Sequence, residues 1–231
     1  MKHRTGRLAI PAGLVAIAAL LAAPAQAAAP TFTVSPGGAW SGTRAADSTV
    51  GIRDAVSNQV ILCSGLAVAG NFRSGSGLSG TNIGVLTTIA FAGCKAEGVA
   101  VTVTVHTSTA NPAPITFTQV FPVGSAVVVG QATNVSLTLD ATNGCHAEVG
   151  ARILGGGGPG FTGIAYRSTD ARLSFASGGK GLFVQSATPQ CSAGYAGPDL
   201  KQFDRISLGG FGNSIADSSA IISPAQRITS P

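Results

Sequence analysis

The sequence predicts an all-β protein, an antiparallel β-sandwich or barrel-like fold that carries two disulfides. About fourteen short strand-like runs follow one another, separated by glycine, serine, threonine and asparagine. No segment after residue 27 has the periodicity of a helix, so the pattern lacks the helical crossovers that parallel sheets need. Four cysteines follow an N-terminal export signal, and an even number in an exported chain indicates a disulfide framework.

Residues 1–27 have the pattern of a secretory signal peptide. Three basic residues precede an apolar stretch over 8–23, and small residues occupy the positions that a signal peptidase reads. We expect cleavage at Ala27 or Ala28. The alternative is a membrane anchor, but about 16 apolar residues are fewer than the roughly 20 that cross a bilayer. We therefore expect a secreted, extracellular protein with no membrane span after removal of the leader.

The net charge of the exported chain argues against nucleic acid as a partner. The full sequence has 14 basic and 9 acidic residues, but three of the basic ones lie in the leader. The remainder is close to neutral and its basic residues are scattered, so no basic patch is available to bind phosphates. The expected partner is an unknown envelope or extracellular molecule.

Length and composition favour one globular domain over residues 28–231. The chain can bury a core, since 45% of its residues are hydrophobic, and it has 32 glycines for turns. The alternative is two packed halves with a boundary near 111–125, where prolines cluster. Each half would then hold one disulfide.

Alternation of side chains defines the two clearest strands. In 99–106, valines occupy the odd positions, while threonines and His106 occupy the even ones, so one face is buried and the other faces solvent. In 145–153, Cys145 shares the apolar face, while His146 and Glu148 share the polar one. The remaining candidates are 31–35, 49–53, 60–64, 83–92, 115–121, 126–129, 135–140, 161–166, 172–176, 181–186, 203–208 and 219–223. The phenylalanines on these strands are expected in the core.

Cys63, Cys94, Cys145 and Cys191 allow three disulfide pairings. We favour Cys63–Cys94 with Cys145–Cys191, because neighbours in sequence close the smaller loops. A metal site is the competing interpretation. It is disfavoured because the sequence has no C-x2-C pair and only His146 adjoins a cysteine. No metal and no cofactor is expected.

Two glycine-rich segments, 75–80 and 155–160, match G-x-G-x-x-G. A dinucleotide site needs this loop between a strand and a helix, because the helix N-terminus binds the pyrophosphate. Strand-like residues follow both segments, so we interpret them as turns.

The candidates for catalysis are few. Serine hydrolysis needs a serine, a base and an orienting acid, and only His106 and His146 remain after leader removal. His106 could pair with Asp140, and His146 with Glu148 or Asp170. Any β protein offers such pairs on its polar faces, and no carboxylate spacing singles out a glycosidase. We therefore expect no enzymatic activity.

Several stretches carry a resemblance to a known group. They are a T-F-T-V-S-P-G-G start at 31–38, the glycine segment 74–81 between Cys63 and Cys94, the later Cys145 and Cys191, and the terminal decapeptide 222–231. Over nearly the whole exported chain the sequence resembles a group of uncharacterised secreted β-rich actinobacterial proteins with four cysteines. The resemblance implies export, bacterial origin and paired cysteines. It implies no activity and no catalytic residues.

Three functional hypotheses follow. The first is a non-enzymatic binding or structural β module, acting outside the cell or at its envelope. The second is a secreted hydrolase of envelope polymers, with His146, Glu148 and Asp170 as its candidate residues. The third is a pore in an outer lipid layer. Such a pore displays girdles of aromatic residues, and one tryptophan and two tyrosines are too few to form them.

Overall fold

A computed structural model describes residues 29–120, 126–151, 159–176, 181–209 and 218–230. The expected signal peptide, with Ala27 and Ala28, lies outside these residues. The described chain forms nineteen strands and one short 3-10 turn, Pro189–Cys191. The strands are β1 Thr31–Ser35, β2 Gly38–Arg44, β3 Val50–Asp54, β4 Val60–Cys63, β5 Gly65–Phe72, β6 Gly75–Ser79, β7 Gly84–Ala92, β8 Cys94–Ala96, β9 Val99–Val105, β10 Ala113–Val120, β11 Val127–Val135, β12 Leu137–Ala141, β13 His146–Gly150, β14 Gly160–Arg167, β15 Arg172–Ala176, β16 Leu182–Ala187, β17 Arg205–Ser207, β18 Ser219–Ser223 and β19 Arg227–Thr229.

Sixteen of these strands close into two antiparallel eight-stranded barrels, which confirms the predicted all-β, barrel-like class. The first, here the capped barrel, has the order β10-β11-β14-β15-β18-β2-β5-β7. The second, here the disulfide barrel, has the order β12-β13-β16-β17-β3-β4-β8-β9. The remaining strands form a three-stranded sheet, β19-β1-β6, here the cap.

The two barrels share one path of the chain. Strand β2 leads into β3, β4 into β5 and β7 into β8, and the same alternation between the barrels continues to β17 and β18. Where two strands pair in one barrel, the strands adjoining them along the chain pair in the other barrel. The chain therefore runs as eight long segments, and each segment gives one strand to each barrel. Segments that are consecutive in the chain are neighbours in both barrels, and the last segment pairs with the first. Each barrel draws strands from both sides of residues 111–125.

Apolar side chains occupy the interior of both barrels, as expected for barrels of eight strands. Trp40, Phe72 and Phe117 stack in sequence inside the capped barrel, with ring centroids 5.3 and 6.2 Å apart. Leu137 and Leu139 belong to the core of the disulfide barrel, and both are buried. The strand β9 has the predicted alternation, with valines inward and threonines outward.

Both disulfides have the favoured pairing. Cys63 ends β4 and bonds to Cys94, the first residue of the neighbouring strand β8. Cys145 precedes β13 and bonds to Cys191 at the end of the 3-10 turn. The first disulfide therefore lies where two segments cross between the barrels, and the second ties a long loop to the disulfide barrel.

The glycine segment 75–80 was predicted to be a turn, and this prediction is wrong. Its residues Gly75–Ser79 form strand β6 and pair with β1, rather than a turn. Gly75 and Gly77 have positive φ values of 136° and 64°, which a larger residue rarely adopts, so glycine lets the chain pair there despite its irregular backbone. Of the second glycine segment, 155–158 lies outside the described residues and Gly160 begins β14.

Candidate functional site

The outer face of the disulfide barrel carries the histidines. On β9, β12 and β13 the even-numbered side chains point away from the core, and the strand register sets them in rows. Thr138 stands opposite Glu148, and Asp140 stands opposite His146. This arrangement places two histidines and two carboxylates on one polar surface.

His146 contacts Asp140, which differs from the pairs considered from sequence. The distance from His146 Nδ1 to Asp140 Oδ1 is 2.7 Å, and the two side chains are 46% and 53% exposed. An ion pair this exposed contributes little to stability, because water screens it. His106 does not pair with Asp140; its Nε2 lies 2.7 Å from the hydroxyl of Thr138.

Glu148 belongs to the same face but has a separate partner. The hydroxyl of Ser186 donates to Glu148 Oε2 at 3.2 Å. Together with His106, Thr138 and Gln185, Glu148 lines a shallow groove of about 240 Å³. The groove holds a base and an acid, yet its histidine is hydrogen-bonded to a threonine rather than to a carboxylate.

Asp170 lies in a different place, between two arginines of the capped barrel. Arg167 donates to both of its oxygens at 2.8 and 2.6 Å, and Arg172 donates from Nε at 3.2 Å. The hydrogen-bonded Arg167 guanidinium holds the pKa of the Asp170 carboxyl below its usual value, with Arg172 adding to the effect. Asp170 is therefore part of an ion cluster and does not orient His146.

The three residues of the hydrolase hypothesis therefore have separate partners: His146 contacts Asp140, Glu148 accepts from Ser186, and Asp170 binds two arginines. In the described part of the chain, neither histidine ring has a hydrogen bond to a serine hydroxyl. The same residues hold no cluster of three or more histidine, cysteine or acidic side chains that could bind a metal ion.

A second surface, which the sequence analysis did not find, lies at the free end of the disulfide barrel. Four hairpin connections meet there: 55–59, 97–98, 142–145 and 188–204. Three of them, 55–59, 97–98 and 188–204, line an open groove of about 370 Å³, here the loop-end groove. Its lining residues are Ser57, Asn58, Gln59, Glu97, Ala193, Gly194, Tyr195, Gly197 and Asp199.

Polar contacts between the loops build this groove. The side-chain amide of Gln59 donates to Gly197 O at 2.9 Å and to Glu97 Oε1 at 3.2 Å, and its Oε1 accepts from the backbone of Asp199. Asn143 Nδ2 donates to Ala196 O at 2.7 Å, which fastens the long loop to the 142–145 turn. The loops are therefore held in a defined arrangement by side chains as well as by the Cys145–Cys191 disulfide.

Tyr195 is the exposed aromatic residue of the loop-end groove. The other two polar aromatic residues, Trp40 and Tyr166, are buried in the capped barrel, whereas Tyr195 is 53% exposed. It lies on a loop between glycines at 194 and 197, both with positive φ values. An exposed tyrosine beside amide and carboxylate groups offers a ligand both apolar contact and hydrogen bonds.

Among the described residues there is no helix long and apolar enough to cross a membrane. Comparisons of the chain with protein-family models, with curated proteins and with solved structures found no match.

Proposed function

We propose that the protein is a secreted, non-enzymatic binding module that acts outside the cell or at its envelope through the loop-end groove. The observation that carries the proposal is that three connections at the free end of the disulfide barrel line an open polar groove in which Tyr195 is exposed. Binding residues are commonly placed on loops held by a rigid scaffold, and two closed barrels with filled interiors provide such a scaffold.

Export is supported by two independent features. The N-terminal segment has the pattern of a signal peptide, and all four cysteines are joined in disulfides. Disulfides persist in oxidising compartments and are rare in the cytosol. The location proposed for the binding partner follows from these features.

The test is retention of the purified, oxidised mature protein on intact envelopes of the bacterium that secretes it. We expect Tyr195→Ala to reduce the retained fraction at least about tenfold, the effect of losing a well-packed aromatic contact. Ile221→Ala is the matched control, because Ile221 is an exposed apolar residue on the capped barrel, and its retention should equal that of the wild type. Equal retention of both variants would refute the assignment of the groove.

A secreted hydrolase is the second candidate, favoured by the 2.7 Å contact between His146 and Asp140. An aspartate that orients a histidine is part of several hydrolytic sites. The discriminating assay offers esters and envelope glycans to the wild type, His146→Ala and His106→Ala. Under the binding proposal all three proteins are inactive, whereas turnover that His146→Ala abolishes would establish the hydrolase.

A further inference from the structure

Two buried aspartates lie at the bases of two loops that line the loop-end groove. Asp54 is the last residue of β3, and Asp204 immediately precedes β17, which pairs with β3. The backbone N–H of Ala55 donates to Arg205 O at 2.8 Å, so the two strand ends are adjacent. Only 2% of Asp54 and 8% of Asp204 are exposed. The strand register pairs Asp54 with Ile206, so Asp204, two residues before Ile206, lies on the same side of the neighbouring strand end, and the charge of Asp54 acts on the Asp204 carboxyl.

Each carboxyl group also holds one of the loops that line the groove. Asp54 Oδ1 accepts from the backbone N–H groups of Val56 and Ser57, at 2.7 and 3.3 Å. Asp204 Oδ2 accepts from the N–H of Lys201 at 2.8 Å. A hydrogen bond between these two carboxyl groups would therefore join the 55–59 turn to the 188–204 loop.

One oxygen of this pair has no hydrogen-bond partner. Asp54 Oδ2 is fully buried and accepts no hydrogen bond from any described residue. A buried carboxylate oxygen without a donor is costly, and two ionised carboxylates side by side repel each other. A single proton between the two groups removes both costs.

None of the described cations forms an ion pair with Asp54 or Asp204, although the charge of Lys201 acts on Asp204 from a distance. Lys201 is 65% exposed and its Nζ lies 3.9 Å from Asp199 rather than on the pair. Arg53 on β3 binds Asn58, and Arg205 on β17 is exposed. The strands β4 and β16, the other neighbours of β3 and β17, contribute no ionisable side chain apart from the disulfide-bonded Cys63.

We infer that Asp204 carries a proton that it donates to the unpartnered Oδ2 of Asp54, and that this hydrogen bond acts as a pH-sensitive latch between the two loops. The regulatory meaning of this latch rests on the proposed function of the groove, whereas its effect on stability does not. When the proton on Asp204 is lost, like charges face each other in a buried site and the contact between the loops weakens.

The direction of the pH effect follows from linkage. Burial raises the pKa of Asp204 above the ordinary 3.8 and the charge of Asp54 adds to this effect, against the backbone N–H and the charge of Lys201, which act in the opposite direction. The folded protein therefore binds more protons than the unfolded chain above that pH, and stability falls as pH rises through the raised pKa. Over this window, each unit of pKa elevation corresponds to about a tenfold change in the unfolding equilibrium constant.

The test compares Asp54→Asn and Asp204→Asn with the wild type in denaturant unfolding from about pH 4 to pH 7. An asparagine amide replaces the donated proton with a permanent donor and keeps an oxygen for the loop N–H groups. We expect both variants to lose the decline of stability with pH and to be more stable than the wild type at neutral pH. Glu148→Gln, at an exposed site where the carboxylate accepts from the uncharged Ser186 hydroxyl, is the control and should keep the wild-type dependence.

Amide exchange of Val56, Ser57 and Lys201 gives a second measurement that needs no ligand. In the wild type, protection of these amides should decrease as pH rises, after correction for intrinsic exchange, and in Asp54→Asn it should stay constant. A wild-type pH dependence in both asparagine variants would overturn the latch. So would stabilisation of the wild type, but not of Asp54→Asn, by millimolar Ca²⁺, since that would assign the pair to a cation. Neither result bears on whether the groove binds envelopes.

Discussion

Tyr166 joins the C-terminal segment to the interior of the capped barrel. Its hydroxyl donates to Gln226 O at 2.6 Å and accepts from Gln226 N at 2.9 Å, and both residues are buried. The ring also packs against Phe72 at 6.1 Å between centroids. A single phenol thus satisfies two backbone groups that would otherwise be buried without partners.

Replacing Tyr166 with phenylalanine tests this role. We expect the free energy of unfolding to fall by about 1–3 kcal/mol, because the N–H and C=O of Gln226 lose their partner in a buried site. Urea unfolding followed by tryptophan fluorescence measures the change. Tyr195→Phe, at an exposed position, should stay within about 0.5 kcal/mol of the wild type. A Tyr166→Phe protein as stable as the wild type would contradict this role, because the N–H and C=O of Gln226 would then have other partners.

The ionisation of the Tyr166 phenol can be measured directly by absorbance. Burial raises the pKa of Tyr166 to about 12, against the hydrogen bond from Gln226, which acts in the opposite direction. The stability contribution of the neutral phenol is complete below about pH 10 and is lost as pH rises through 12. Tyr195→Phe leaves Tyr166 as the one tyrosine, so its phenolate absorbance should appear late in the folded protein. A midpoint near 10 in the folded state would contradict the burial.

At the scale of elements, the 188–204 loop depends on its disulfide. The loop connects β16 to β17 and supplies Tyr195 to the loop-end groove, while Cys191 fixes it to the start of β13. Its other attachments are hydrogen bonds, including Leu200 N to Cys191 O at 2.7 Å. The disulfide therefore stabilises both the fold and the shape of the groove.

Removing Cys145 and Cys191 together, as the double alanine variant, should lower the free energy of unfolding by about 2–5 kcal/mol. We also expect the amides of the 188–204 loop to lose protection from hydrogen exchange. The matched control is the double alanine variant of Cys63 and Cys94, whose disulfide joins the neighbouring strands β4 and β8. This variant should lose a similar free energy of unfolding without a change in the protection of that loop. Unchanged protection of the loop in the first variant would show that hydrogen bonds alone order it.

At the scale of the whole molecule, the first and last described strands cover the capped barrel. The strand β19 pairs with β1 inside the cap, with Thr33 opposite Thr229, so the first and last strands are neighbours. Phe32 from β1 and Ile228 from β19 are fully buried, and the ring of Phe32 lies 6.2 Å from that of Phe117. The disulfide barrel ends instead in four hairpins, which leaves that end open for the groove.

Truncation after Ser223 tests the cap. It removes Ile228 and the partner of Tyr166, so we expect a loss of at least about 3 kcal/mol, comparable with deletion of a large core side chain. A chain that ends at Ser230 is the control and should keep wild-type stability. Thermal unfolding followed by circular dichroism compares the two, and equal midpoints would show that β19 is dispensable.

Strand prediction succeeded where alternation is strong and failed where small residues hide it. The bounds of β15 and β18 agree with those expected from sequence. The strands β2 and β5 were not predicted. In β2 only Trp40 is a large apolar residue, and in β5 the inward Leu66, Val68 and Phe72 alternate with outward alanines, which do not mark an exposed face as polar residues would. The disulfide pairing was predicted because neighbours in sequence close the smaller loops, and the observed pairs are 31 and 46 residues apart.

The candidate site was predictable only in part. The common face of His146 and Glu148 follows from the pleat of a single strand. The contact of His146 with Asp140 depends on the register between β12 and β13, and the hydrogen bond between Gln59 and Asp199 joins residues 140 positions apart. No local pattern encodes such distances.

By itself, the sequence determined that this is a β protein with paired cysteines and an expected leader, because strand alternation and a signal peptide are local properties of the chain. The tertiary structure alone decided that the strands close into two barrels, that Asp170 lies apart from His146, and that Tyr195 and the Asp54–Asp204 pair lie at one end. Barrel closure depends on the pairing of strands far apart in sequence, so the groove exists only once all eight segments have closed.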